Sequence, residues 1–134
     1  MEIRENTEQN NETVHSMIRQ HNAKFMTEFQ DYSYHIEEEG ELVAGIVAEA
    51  VFDTVEGEFL CVKENCRGKG YGRALLQYVE QRAENDGRKR ILLNTYSFQA
   101  PEFYRSLGYE ELLCVDPCFK EYKQYYFCKE LNES

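Results

Sequence analysis

Apolar residues follow a helical spacing near the start of the chain and alternate with polar ones immediately afterwards. In residues 14–25 they return every third or fourth position, which predicts a helix of four to five turns. The polar stretch at residues 6–10 supplies candidates for its N-cap. Residues 32–36 alternate as in a half-buried strand, and residues 39–40 predict the turn of a hairpin. A short strand at residues 2–4 is also expected.

The next stretch is strongly apolar and predicts two further strands. Residues 42–48 are almost wholly apolar, as in a strand covered on both faces, and this strand is expected to continue to Phe52. Residues 53–57 are rich in turn-forming and acidic residues and predict a turn. A strand at residues 58–62 should follow, with residues 58, 60 and 62 on one face.

A strong helical pattern follows at residues 73–86, with Gly87 as a candidate C-cap, and an apolar strand comes next at residues 91–95. A strand, helix and strand in this order form a right-handed unit, so the strands at 58–62 and 91–95 should be parallel. The loop before the helix then lies at the carboxyl end of its strand, where open α/β sheets place their ligands.

The last third of the chain predicts a short helix and a final antiparallel pair. The helix covers residues 100–107 and ends at Gly108. One strand should run over residues 109–115 until Pro117 breaks it, and the last should run over residues 122–131. The sheet is therefore mixed, with six or seven strands, and a length of 134 residues predicts one domain over residues 1–134.

A basic loop with three glycines joins the strand at 58–62 to the helix. Unpaired N–H groups at a helix start favour phosphate, and glycines let the main chain approach it closely. Arg67 and Lys69 add two positive charges. A Walker loop is excluded because Gly70 follows Lys69 where Ser or Thr is needed, and the glycine spacing does not match a dinucleotide fingerprint. An ordinary strand-to-helix turn is the alternative.

Two segments of the chain resemble one known family. Arg67-x-x-Gly70-x-Gly72 resembles the Arg/Gln-x-x-Gly-x-Gly/Ala signature of the GNAT superfamily of N-acetyltransferases, which hold the pyrophosphate of acetyl-CoA in that loop. Residues 100–109, Ala-Pro-Glu-Phe-Tyr-Arg-Ser-Leu-Gly-Tyr, resemble the family's Ala-x-x-Phe-Tyr-x-x-x-Gly-Phe segment. The resemblance runs over residues 40–109 and more loosely over the whole chain. It implies an α+β fold with a mostly antiparallel sheet, a central parallel pair and helices on both faces.

The resemblance also implies where acetyl-CoA is held. Its pantetheine would lie along the strand at 58–62. Many family members have an Asn that contacts the coenzyme arm at the position where this chain has Ser97. Ser97, Asn94 or Gln99 could make that contact here. The implied coenzyme-binding residues are Leu60, Cys61, Val62, Arg67, Gly68, Lys69, Gly70, Tyr71, Gly72, Arg73, Asn94, Ser97, Ala100 and Phe103.

Attack of an amine on a thioester requires an acid, a base and donors for the oxyanion. The family's tyrosine near the coenzyme A sulfur matches Tyr104, whose alternative role is an aromatic packed on the sheet. Glu58 or Glu56, working through water, is a candidate base, and Glu49 is a third option. Proximity alone can supply much of the rate, so no dedicated base is strictly required.

Charge and composition narrow the partners. A net charge of −10 argues against nucleic acid and favours a cationic acceptor, although the charge could serve only to keep the protein in solution. No apolar run is long enough for a membrane span, and the polar, acidic N-terminus lacks a secretory signal, so the expected location is the cytoplasm. The spacing of the five cysteines matches no metal site, so reduced thiols and no metal are expected.

These observations predict an N-acetyltransferase that moves the acetyl group of acetyl-CoA to a primary amine of a small cationic molecule or a polypeptide by direct attack. The alternative is a non-catalytic sensor or interaction module that binds coenzyme A with the same fold. The acceptor pocket is expected from the first helix, the turn at residues 53–57 and the loop around Pro117. The tyrosine-rich last strand suits a homodimer contact.

Overall fold

A computed structural model describes residues 1–131, which form three α-helices and seven β-strands. In chain order they are α1 (Glu8–Asn22), β1 (Phe29–Asp31), β2 (Tyr34–Glu38), β3 (Glu41–Val51), β4 (Thr54–Val62), α2 (Tyr71–Asn85), β5 (Arg90–Tyr96), α3 (Pro101–Ser106), β6 (Glu110–Phe119) and β7 (Tyr122–Glu130). A 3₁₀ turn at Glu64–Cys66 lies between β4 and α2.

The seven strands form one sheet in the order β1-β3-β4-β5-β7-β6, and β2 also pairs with β3. Only β4 and β5 are parallel; the other pairs are antiparallel. This confirms the predicted mixed sheet with its central parallel pair. Gly87 follows the C-cap of α2 with a positive φ of 83°, as predicted for the end of that helix.

One face of the sheet carries the core. Small residues of β3, including Ala44, Ala48 and Ala50, let α2 approach closely, and the helix buries Leu75, Leu76, Val79 and Ala83 there. Tyr104 and Leu107 at α3 join the same buried cluster. The helices that bury residues therefore lie on one face. α1 buries no residue and adds nothing to this core.

The middle of β4 determines where the sheet opens. β4 begins at Thr54, so the turn predicted at residues 53–57 was wrong; the chain turns at Phe52 and Asp53 instead. β4 pairs with β5 only from Thr54 to Gly57. A register shift against β3 leaves Glu58 without a partner, and beyond it β4 has no pairing with β5. The two parallel strands consequently separate at their carboxyl ends.

Two predictions for the two ends of the chain were wrong. Residues 2–4 form no strand, and the first strand is Phe29–Asp31 at the sheet edge. Pro117 does not break β6, because the strand accommodates it at an edge, where the register shifts. The tyrosine-rich strand β7 lies between β5 and β6, inside the sheet.

α1 has the predicted amphipathic pattern but no internal partner. Thr7 caps its start in a reciprocal pair with Asn10, and the helix ends at Asn22 rather than near Phe25. Val14, Met17 and Ile18 remain 53%, 63% and 50% exposed. The apolar stripe therefore contributes nothing to the core described above.

A buried arginine links β1 to the end of α2. Arg88 is only 6% exposed, and its guanidinium donates hydrogen bonds to the side chains of Glu28 and Gln30, the carbonyl of Phe52 and the hydroxyl of Tyr32. The Tyr32 hydroxyl in turn donates to Asp86 at 2.7 Å, and this bond lowers the pKa of the Asp86 carboxyl. The buried guanidinium thus donates hydrogen bonds from all three of its nitrogens.

Replacing Tyr32 by phenylalanine should lower the free energy of unfolding by about 1–3 kcal/mol, because a buried donor and acceptor of the Arg88 network lose their partner. Urea denaturation would measure the change. Tyr78→Phe is the matched control, since Tyr78 is half exposed and its hydroxyl has no hydrogen-bond partner within residues 1–131. Equal stability of both variants would show that the network contributes nothing.

Candidate active site

A groove opens where β4 and β5 separate. Its narrower part encloses about 300 Å³ between the ends of the two strands, and Glu58, Phe59, Asn94 and Thr95 line it. A wider part of about 660 Å³ continues along the start of α2. The two parts share Leu60, Cys61, Gln99, Ala100 and Tyr104 as lining residues.

The glycine loop forms the wall of the wider part. Gly68 and Gly70 both have a φ of +84°, a conformation that other residues adopt only with strain, and Gly70 caps α2. The carbonyl of Gly70 accepts the first helical hydrogen bond, from Ala74. The amides of residues 68–73 bond no acceptor in the described part of the chain. Free N–H groups at a helix start are suited to an anionic ligand.

The three cations near this loop differ in their contacts. Arg67 donates from Nε to the carbonyl of Val62 at 3.2 Å, which holds its guanidinium at the groove. Lys69 lies 3.7 Å from a carboxylate oxygen of Glu38 and 5.9 Å from the centre of the Tyr71 ring. Arg73 also lines the groove and has no ion pair among the residues described. Arg67 and Arg73 therefore line the groove, whereas Lys69 does not.

Alternate residues of β4 form its free edge. The N–H of Lys63 donates to a carbonyl of β3 at 2.8 Å, so the register directs the main-chain groups of Cys61 to Gly45 on β3. The main-chain groups of Leu60 and Val62 then face the side from which β5 has diverged. The main chain of Cys61 was expected to bond the pantetheine arm, but it is directed to β3 instead. Leu60 and Val62 remain the predicted main-chain contacts for an extended ligand.

Tyr104 lies where the two parts of the groove meet. It is 9% exposed, and its ring packs 6.0 Å from that of Phe127 and 5.9 Å from that of Tyr109. Its hydroxyl has no hydrogen-bond partner within residues 1–131, where no buried side-chain polar atom is left unpaired, so the hydroxyl is open to the groove. Burial raises the pKa of Tyr104 above its ordinary 10.0, which keeps the phenol protonated. Tyr104 is both a packed aromatic and an available proton donor.

The three candidates for the family's Asn contact lie in different places. The Ser97 hydroxyl accepts from the amide of Lys123 at 3.0 Å and lines neither part of the groove. Asn94 lines the narrow part, and its side-chain oxygen Oδ1 accepts a hydrogen bond from the side-chain amide of Gln124. Gln99 lines both parts, and its carbonyl oxygen is bound by Thr95 and the amide of Tyr96, which leaves its NH₂ group for a ligand. The geometry favours Gln99.

The candidate bases are also separated. Glu58 sits on the bulge of β4 and lines the narrow part, whereas Glu56 lines neither part. Glu56 lies directly opposite Glu49 of β3 on the exposed sheet face. Of the expected acceptor-pocket segments, only Gly57 reaches the groove; α1 and Pro117 do not.

An aromatic cluster beside the groove was not predicted from the sequence. Phe98 lines the wider part and is 55% exposed. Its ring lies 5.4 Å from that of Tyr96, 6.1 Å from that of Phe119 and 5.0 Å from that of Tyr122. The high aromatic content of the chain was the one sequence feature that pointed to this cluster. Its members could not be grouped from the sequence, because residues 96–98 and 119–122 are brought together by strand pairing.

Two further features of the described residues bear on chemistry. No three His, Cys, Asp or Glu side chains among residues 1–131 are grouped to hold a metal ion, and the five cysteines there are free thiols. None of the three helices has the length and apolarity needed to cross a membrane.

Comparison with known proteins gives consistent matches. Residues 1–109 match the acetyltransferase (GNAT) family. The crystal structure of an acetyltransferase from Bacillus cereus ATCC 14579 is 32% identical, with 98% of each chain covered and a TM-score of 0.84. An aminoglycoside 6'-N-acetyltransferase complexed with coenzyme A is 18% identical, with 76% of this chain and 73% of that chain covered and a TM-score of 0.65.

Blasticidin-S acetyltransferase from Streptomyces morookaense is 35% identical over 78 residues, which are 58% of this chain. The match spans 57% of the length of that protein.

Proposed function

Because this chain belongs to the GNAT acetyltransferase family, we propose that it acts as a single acetyltransferase domain in the cytoplasm. Acetyl-CoA, the acetyl donor of that family, would be its donor. The acceptor would be a primary amine of a small cationic molecule or a polypeptide. One observation carries the proposal: a continuous groove connects the free amides of the glycine loop to the free hydroxyl of Tyr104.

The groove fits a long, anionic coenzyme. The amides of residues 68–73, with Arg67 and Arg73, would bind the diphosphate. The free edge of β4 offers the main chain of Leu60 and the amide of Val62 for hydrogen bonds, as an added strand would use them, while the Val62 carbonyl is bonded by Arg67. Gln99 would contact the same arm from the other side, and Ala100 and Phe103 would close the groove over it.

The reacting end would lie where β4 and β5 separate. An acceptor ammonium must first lose a proton, and Glu58 could receive it through water because its carboxylate borders the narrow part. As the amine nitrogen bonds the acetyl carbon and the carbon–sulfur bond breaks, the Tyr104 hydroxyl would give its proton to the sulfur. Tyr104 would recover a proton from the acylated nitrogen through solvent. Glu56 faces away and is not needed for this sequence of steps.

An acidic residue at the groove supports a cationic acceptor. Glu58 lies where β4 and β5 part and forms no ion pair within residues 1–131. Its negative charge would attract a positive amine and repel an anion. The similarity to an enzyme named for blasticidin S is consistent with a small acceptor of this kind.

Release of free thiol tests the proposal. Incubation with acetyl-CoA and a panel of amines, including polyamines, aminoglycosides and lysine peptides, should liberate coenzyme A at a rate that depends on one acceptor class. Mass spectrometry of the acceptor should show one added acetyl group. Thermal stabilisation by coenzyme A with no turnover for any acceptor would instead identify a sensor that retained the fold.

A further inference from the structure

We propose that α1 packs across the exposed face of β3 and β4 in a second copy of this chain, so that two copies exchange helices about a two-fold axis. This inference goes beyond the proposed function and does not depend on it. It rests on two apolar surfaces that lack a cover, on their charges and on the way α1 is attached.

The first surface is the stripe of α1. Val14, Met17 and Ile18 lie on one side of the helix at helical spacing and are all at least half exposed. A helix of 15 residues is only marginally stable in water without packing, so an apolar stripe on such a helix indicates a partner.

The second surface is the sheet face turned away from α2. Val47 and Phe59 lie opposite each other across β3 and β4, and they are 44% and 69% exposed. No helix buries a residue against this face in the described part of the chain. A flat sheet surface of this type accepts the stripe of a helix.

The charges around the two surfaces are complementary. Glu8 and Glu12 point away from the stripe, whereas His21 and Lys24 lie at its C-terminal end. Glu49, Glu56 and Glu58 surround Phe59, with Glu49 and Glu56 directly opposed. Two like charges face to face are unfavourable in a sheet, and a cation brought by another helix would relieve them.

The attachment of α1 favours a second copy over its own sheet. The connection after the helix is fixed by main-chain hydrogen bonds from Phe25 and Met26 to Asn22. Glu28 is then held by the amide of Phe52 and by the guanidinium of Arg88. α1 therefore leaves the sheet edge in a defined direction, and it buries no residue against its own sheet. Because Phe59 and Glu58 line the narrow part of the groove, the partner's helix would border the acceptor side.

Sedimentation velocity over a range of protein concentrations tests this contact. The wild-type chain should sediment at twice its mass of 15.9 kDa. Met17→Glu should sediment as a monomer, because it places a charge in the apolar contact. Ser16→Glu, on the opposite side of α1, is the matched control and should remain a dimer. Phe59→Glu changes the other surface and should reproduce the monomer.

Cross-linking identifies which copy receives the helix. A photo-reactive residue at position 17, in a mixture of ¹⁵N-labelled and unlabelled chains, should yield peptides that join α1 of one isotope to β3 or β4 of the other. A wild-type monomer, a dimeric Met17→Glu chain, a monomeric Ser16→Glu chain, or cross-links confined to one isotope would each overturn the proposal. Thermal stabilisation by coenzyme A should persist in Met17→Glu and Ser16→Glu, whose positions lie outside the groove, which separates this result from any failure of the proposed function.

Discussion

Replacing Tyr104 by phenylalanine is expected to lower kcat by about 100-fold or more, the usual range for removal of a general acid, while acetyl-CoA affinity stays nearly unchanged. The ring of Tyr104 packs in the core beside Phe127, and phenylalanine keeps that packing. Only the hydroxyl is lost, and it faces the groove without a hydrogen-bond partner among residues 1–131. The variant should therefore bind the donor normally and fail at proton transfer to the sulfur.

The pH dependence should identify the same group. Burial raises the pKa of Tyr104 above 10.0, so the protonated, donating form persists to higher pH than for an exposed phenol. In the wild type, loss of this proton should not reduce turnover until the pH exceeds that ordinary value. A decline at lower pH would have to arise from another group.

Thiol-release kinetics and calorimetric binding of acetyl-CoA measure both parts of this expectation. Tyr109→Phe is the matched control, since Tyr109 is also buried in this cluster but bonds Glu80 at 2.9 Å and does not line the groove. It should lose stability and retain kcat when folded. Unchanged turnover in Tyr104→Phe would remove Tyr104 from the mechanism.

The glycine loop and α3 could be predicted from the sequence because both depend on local backbone chemistry. Gly70 occupies a left-handed conformation at a helix start, and Pro101 opens α3 with Ala100 as its cap. Such requirements appear as residue types at fixed spacing. The strand-helix-strand unit is similarly constrained, since its handedness leaves one arrangement.

The start of β4 could not be predicted, because tertiary pairing overrides the local signal. Residues 53–57 contain Asp53, Glu56 and Gly57, which favour a turn. In the fold residues 54–57 pair with β3 on one side and β5 on the other. The missing side chain of Gly57 lets Leu93 pack closely, since a Cβ on residue 57 would lie 3.5 Å from the Leu93 Cβ. The bulge at Glu58 lies at the end of this pairing, where the groove opens.

Ser97 and α1 show a second limit of sequence reasoning. The position of Ser97 relative to Ala100 pointed to coenzyme contact, but its hydroxyl binds the amide of Lys123, and Gln99 occupies the groove instead. The pattern of α1 correctly predicted an amphipathic helix without specifying its partner. Side-chain direction in a loop and the target of an apolar stripe are both set by distant residues.

Replacing Gly70 by valine is expected to raise the dissociation constant for acetyl-CoA by about 10- to 100-fold, because a charge-assisted hydrogen bond contributes about 1.5–3 kcal/mol. A β-branched residue is strained at a φ of +84°, and its side chain would project into the groove that Gly70 lines. The amides of the loop would then be displaced from the diphosphate. Calorimetric titration with acetyl-CoA measures the loss of affinity.

Gly87→Val separates this loss from simple backbone strain. Gly87 has a φ of +83° at the opposite end of α2, and a Cβ there, as at Gly70, would meet no atom within 4 Å. Both variants should lose a similar free energy of unfolding, about 1–2 kcal/mol for the left-handed conformation. Only Gly70→Val should lose affinity, because only Gly70 lies at the groove. Equal acetyl-CoA affinity in the two variants would mean that the loop amides do not bind the diphosphate, and the assigned donor site would be wrong.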